Sequence, residues 1–155
     1  MQVALPTHQD VRHVAANMRA ADAREIYATR WTDDPEDIVT DVIHAGPFVW
    51  TAGLERPIAV VGAFPSHPGV WQVFMFATDE FPRIGLGVTR FVRKCMIPAL
   101  LDSDAHRAQC HSIEGHDVAH RWLESLGARV ESIAKGWGRN GEDFRVYVWT
   151  RDNVL

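Results

Sequence analysis

The stretch Phe76-Ala77-Thr78-Asp79-Glu80-Phe81-Pro82-Arg83-Ile84-Gly85-Leu86-Gly87-Val88 decides how the rest of the chain is understood. β-prone apolar residues feed a short polar loop, and two glycines then open a helical pattern. A strand entering a helix through such a loop aims unpaired backbone N–H groups and the positive end of a helix at one spot. That arrangement suits an anion such as a pyrophosphate. Gly85 and Gly87 carry no side chain that would hold phosphates away from the backbone. Taken alone, a G-x-G ahead of a helix is a common and weak signal.

Working outward, the residues before the loop alternate between β-branched or aromatic runs and turn residues. Strands are expected over 48–52, 58–64 and 70–78, with turns over 53–57 and 65–69, an antiparallel meander. Further upstream, 2–5 forms a short strand. Thr7 caps a helix with Asp10 three residues on, and Val11, Val14, Ala15 and Met18 give it one apolar face. A second helix is expected over 20–31. A third begins at Pro35 after Asp34, buries Ile38, Val42 and Ile43, and ends at Gly46-Pro47. Downstream, a long helix spans 87–101, with Phe91, Cys95, Ile97 and Leu101 on its apolar positions. Cys95 is expected to be buried there, and Pro98 to kink or end the helix. A strand over 107–112 and a helix over 115–126 come next, the helix stopping at Gly127. Strands over 129–134 and 144–150 close the chain. The order predicts one α+β domain over 1–155, with a mixed, mostly antiparallel sheet of about six or seven strands and helices on both faces.

Composition narrows the class. A chain of 155 residues with 46% hydrophobic residues can bury a sizeable core, which argues against disorder. The net charge of −4 disfavours a nucleic-acid partner. Two cysteines are too few for a disulfide scaffold. No run approaches the ~20 apolar residues that span a bilayer, and nothing at the start reads as a signal peptide. A cytoplasmic protein without a membrane partner is therefore expected.

A second segment acts together with the first: His116-Asp117-Val118-Ala119-His120-Arg121-Trp122-Leu123-Glu124-Ser125-Leu126-Gly127-Ala128. An amphipathic helix ends on glycine and feeds a strand. The two segments resemble the GNAT superfamily of N-acetyltransferases. Phe81, Gly85 and Gly87 fit the family's "P-x-[YF]-[RQ]-x-x-G-x-G" register, and Ala119, Glu124, Leu126 and Gly127 fit its "N-x-x-A-x-x-x-Y-E-K-L-G-F" pattern. Intervals and element order match over most of the chain. Four positions depart from the pattern. Pro82 stands at the Arg/Gln position, His116 at the asparagine, Ala128 at the final aromatic, and Leu123 where many members place the tyrosine that protonates the departing thiolate.

The resemblance implies acetyl-CoA as cosubstrate and attack on its thioester by an amine of a small molecule or protein. Phe76, Ala77, Thr78, Arg83, Ile84, Gly85, Leu86, Gly87 and Val88 would bind the cofactor, with amides near 76–78 polarising the thioester carbonyl. The amine must lose a proton, and His111, Glu114, His116 and the more distant Glu80 are the groups placed to take it. Each has a plainer role open to it: His111 as a satisfied strand histidine, Glu114 as a helix cap. His116 and His120 lie one helical turn apart with Cys110 nearby, but no third ligand is clear, so no metal is expected. Tyr27, Trp31, Trp137 and Arg139 would furnish the acceptor side without selecting a substrate. Small GNAT-like proteins of short-tailed bacteriophages look similar in size and motifs. That leaves a non-catalytic structural or accessory role, as in a virion, as the alternative to an enzyme, with a homodimer or a virion as the assembly to expect.

Overall fold

A computed structural model describes residues 1–154. Seven strands form one sheet in the order β1-β2-β3-β4-β5-β7-β6. They are β1 (Gln2–Ala4), β2 (Val49–Gly53), β3 (Pro57–His67), β4 (Val70–Ala77), β5 (Arg107–Ile113), β6 (Arg129–Ala134) and β7 (Phe144–Thr150). Every neighbouring pair is antiparallel except β4 and β5, which run parallel. This is the mixed, mostly antiparallel α+β sheet expected from the sequence.

Helices cover both faces, as the alternation along the strands requires. On one face α1 (His8–Ala16) and α3 (Pro35–His44) lay Val11, Val14, Ile38, Val39 and Val42 on Val49, Val60 and Phe76. Their caps are those the sequence announces. The Thr7 hydroxyl accepts from the Asp10 N–H at 3.1 Å, and the Asp34 carboxylate from the Glu36 N–H at 2.9 Å. On the other face α4 (Gly85–Phe91), α5 (Ile97–Asp102) and α6 (Asp117–Ser125) cover Ala59, Val61, Ala63, Tyr147 and Trp149. On the α1–α3 face α2 (Ala20–Tyr27) packs Ile26 and Tyr27, and its Asp22 reaches the Ala77 N–H of β4. A final turn, α7 (Arg151–Val154), was not foreseen.

Four expectations need correction. The turn over 65–69 is tighter, because β3 continues to His67 across a bulge between Pro65 and His67. A bulge gives a strand proline, which has no N–H to donate, an acceptable place. Pro98 does not end its helix. A π-turn over Val92–Met96 joins α4 to α5, so the helical run continues past the proline. The extra residue in that turn rotates the helix beyond it. Val88, Val92, Met96 and Leu100 become the buried row, and Cys95 is exposed rather than packed. The second helix stops at Tyr27, short of residue 31.

Candidate active-site cleft

β4 and β5 pair only through Val70–Arg107, Trp71–Ala108 and Gln72–Gln109, and then separate. Two carboxylates one helical turn apart on α2 enter the opening and take over the ladder's work. Asp22 accepts from the Ala77 N–H of β4 at 2.9 Å, and Glu25 accepts from the Ile113 N–H of β5 at 2.9 Å and the Ser112 hydroxyl at 2.7 Å. The Arg19 N–H donates to the Ala77 carbonyl. Strand amides that the splay would have orphaned are thereby satisfied. Neither carboxylate was singled out from sequence, since an Asp and a Glu three apart on a helix usually mark a solvated face. The parallel splay is the only cue that could have drawn them in.

A cleft of about 700 Å³ lies at the splay, lined by residues from both faces of the sheet. Ile26, Val42 and Phe74 line it on one side, and Val92, Met96, Trp122 and Leu123 on the other. Its walls are mostly apolar, which strengthens any charge interaction inside.

The residues anticipated as site residues separate into groups. His111 lies in the cleft, half-buried and stacked on Trp137 with ring centroids 4.6 Å apart and planes 7° from parallel. Burial pushes its pKa below the usual histidine value, so it is neutral at pH 7 and able to accept a proton. Glu114 is not free. The Arg145 guanidinium holds it at 2.9 Å and keeps its carboxyl below the usual range. His116 is buried, with Nε2 2.9 Å from Asp22 Oδ1, and serves to lock the Asp22–Arg19 pair. It does not face His120 as a metal pair. Glu80 is held by Arg56 and Arg83, which lower its pKa, so it is no base.

The cofactor residues also divide. Phe76 pairs with Val60 in the β3–β4 ladder, the Ala77 N–H is held by Asp22, and the Thr78 N–H donates to the Ile58 carbonyl. None of these amides is free to polarise a carbonyl. The two-residue alternation instead turns the Met75 amide to the same edge as Ala77, facing the opening. In the loop, Phe81–Arg83 forms a 3₁₀ turn that consumes the Arg83 and Ile84 N–H groups, and the Val88 N–H donates to the Ile84 carbonyl. The Arg83 side chain pairs with Glu80. Gly85, Leu86 and Gly87 keep N–H groups without a partner among the described residues. A Cβ on Gly87 would stand 2.7 Å from the Met1 sulfur, the end of a flexible side chain that has room to move aside. Trp122 braces this loop, its indole N–H donating to the Thr89 hydroxyl, which donates to the Gly85 carbonyl. Leu123 is 8% exposed and lines the cleft as a plain hydrophobe. Cys110 also lines the cleft, and burial raises its thiol pKa well above the usual value, so it stays protonated.

Known proteins match this chain in structure. A ribosomal-protein-alanine N-acetyltransferase from Brucella melitensis superposes with a TM-score of 0.73 at 16% identity, covering 97% of this chain and 99% of its own. A GNAT-family acetyltransferase from Bacillus anthracis gives 0.73 at 12% identity, covering 97% and 94%. Another GNAT-family acetyltransferase, from Elizabethkingia anophelis with acetyl-CoA bound, gives 0.58 at 13% identity, covering 74% and 82%. No family model matches the sequence, and no curated protein matches it. The chain has the GNAT acetyltransferase fold. Among the described residues no helix is long and apolar enough to cross a membrane.

Proposed function

We propose that this protein binds acetyl-CoA and transfers the acetyl group to an amine. The observation that carries the proposal is the splay of β4 from β5 and the cleft that lies there. An extended thioester arm can enter from the α4 and α6 side, where Val92, Met96 and Trp122 give it apolar walls. The uncommitted N–H groups of Gly85, Leu86 and Gly87 would receive the pyrophosphate, a narrower cradle than the 84–88 expected from sequence. The Met75 N–H is placed to polarise the thioester carbonyl. His111 and Glu25 are the groups in the cleft able to take the amine's proton. With Leu123 at the tyrosine position, the departing sulfur leaves without a dedicated acid. A thiol's pKa of ~8.5 makes that departure tolerable near neutral pH. The fold of acetyltransferases, one of them holding acetyl-CoA, supports this reading.

Calorimetric titration with acetyl-CoA tests it. Gly85→Asp brings bulk toward the Phe81 ring, 3.3 Å from the new Cβ, and a negative charge to an anion site. Affinity should fall more than tenfold, at least ~1.4 kcal/mol. Absence of micromolar binding to the wild-type protein, or equal binding by a folded Gly85→Asp variant, would overturn the proposal.

A further inference from the structure

We infer that Glu25 receives the acceptor's ammonium group and takes its proton, and that the acceptor is a primary amine carried on an apolar or aromatic body. The proton step rests on the acetyl-transfer reading, whereas the amine site stands on the cleft itself. Asp22 is fully committed, to Ala77, His116 and Arg19. Arg30 is matched by Asp41, and His44 sits against the Thr40 carbonyl. Glu25 is different. Its Oε2 is fixed by Ser112 and Ile113, and its Oε1 has no partner among the described residues. It is therefore a rigid carboxylate with one oxygen to offer, in a cleft whose other charges on that side are paired.

The surroundings select what can reach it. Ile26, Phe74, Trp137 and Phe144 line the same cleft as Glu25, and neutral His111 adds a flat wall backed by Trp137. An ammonium on a purely polar stem would leave those walls uncovered, whereas an aromatic or aliphatic body buries them. Position agrees as well. Carrying the β4–β5 register forward from Gln72–Gln109 puts Met75 level with Ser112, so the Met75 N–H and Glu25 stand on opposite walls of one gap. The chemistry balances in that gap. The ammonium gives one proton to Glu25, and the freed nitrogen forms its bond to the thioester carbon. The carbon–sulfur bond breaks, and the second proton lost by nitrogen ends on sulfur. Glu25 then returns its proton to water. Burial raises the Glu25 carboxyl above its usual range, toward the pH at which such a transfer works. The ionisable groups facing it are Asp22 and Arg19 from α2, His116 ahead of α6, and Cys110 and His111 from β5.

The test uses 2-phenylethylamine and, as polar comparator, ethanolamine. Each is titrated into isotope-labelled protein without CoA while amide and carboxyl resonances are followed. Saturable shifts at Met75, Ser112 and Ile113 are expected with 2-phenylethylamine, at least tenfold weaker binding with ethanolamine, and at least a tenfold loss in Glu25→Gln. In the wild-type protein the titration midpoint of the Glu25 carboxyl should move down when the amine is bound. This last measurement decides alone if Glu25→Gln fails to fold. Equal affinity in the variant, equal affinity for ethanolamine, or an unmoved midpoint would overturn the inference. CoA titrated separately keeps the two readings apart. Amine binding without CoA binding would sink acetyl transfer and keep the site, and the reverse would sink the site alone.

Discussion

His120 lies on the buried face of α6, 3% exposed and tilted against the Tyr147 ring, and neither ring nitrogen has a well-formed hydrogen bond among the described residues, the Ile113 backbone offering only a weak contact. Burial, with help from Arg145, holds its pKa below the usual value. An unsatisfied buried polar group costs about 1–3 kcal/mol. His120→Leu should therefore be at least as stable as wild type, by about 1 kcal/mol in urea unfolding at pH 7.5. The sign with pH is definite. The unfolded histidine titrates near ~6.5 and binds protons that the folded one refuses. Stability is complete above that pH and falls as the pH drops through it. The variant should lose less stability between pH 7.5 and 5.5, and an unchanged acid slope would contradict the assignment. The same residue was legible in sequence only as half of a metal-like pair. What it does depends on Tyr147 and Arg145, which are far away along the chain. Glu114 shows the same limit, because nothing in the sequence ties it to Arg145.

At the scale of elements, α2 is the piece that makes the cleft. Its own sequence gives it little hold. Arg19, at its N-cap, makes no side-chain cap bond, and Asp22 is its one fully buried residue. Asp22 joins it to Arg19, the Ala77 N–H and His116, alongside the Glu25 bonds to β5 and the packing of Ile26 and Tyr27 against the α1–α3 core. Removing one partner of a buried charge network typically costs about 3–5 kcal/mol. Asp22→Ala should cost that much in chemical denaturation, whereas the exposed Arg12–Glu36 pair should matter far less when cut. A loss under 1 kcal/mol for Asp22→Ala would mean that α2 is docked by something else. The helical run from Gly85 teaches a related lesson. Its apolar residues were visible, but a regular period assigned Cys95 to the core. The π-turn ahead of Pro98 shifts the register, so Met96 is buried in its place. A local change in hydrogen bonding of this kind leaves no periodic trace in the residues themselves.

At the scale of the whole molecule, two loops distant in sequence are stapled beside the acceptor side of the cleft. Arg139, between β6 and β7, donates from its backbone N–H to the Ala28 carbonyl at 2.7 Å and from its guanidinium to Asp33 at 2.6 Å and the Arg30 carbonyl. The pair is solvent-accessible, 37% for the Arg139 side chain and 64% for Asp33, so its contribution to global stability is small. Its contribution to order should be larger. Arg139→Ala is expected to leave the melting temperature within a few degrees, in line with the ~0–1 kcal/mol of an exposed pair. Amide hydrogen exchange should accelerate around Trp137 and residues 28–33. Unchanged exchange there would show that the loops are held without the staple.

By itself the sequence determined the strands, their order and the helices that cover them. It also determined the glycine loop, because these features arise from hydrophobic period, turn residues and caps, all of which are local. It placed His111 on β5 and Gly85 and Gly87 at the mouth of a helix, and the structure leaves all three available. Only the tertiary structure decided which titratable groups are spent and which are free. Glu114, His116 and Glu80 each meet a charged partner across the fold, whereas Glu25 is carried into the splay with one oxygen left over. The reason is physical. A side chain's charge state and reach are set by neighbours within a few ångströms, and in this sheet those neighbours come from other strands and helices.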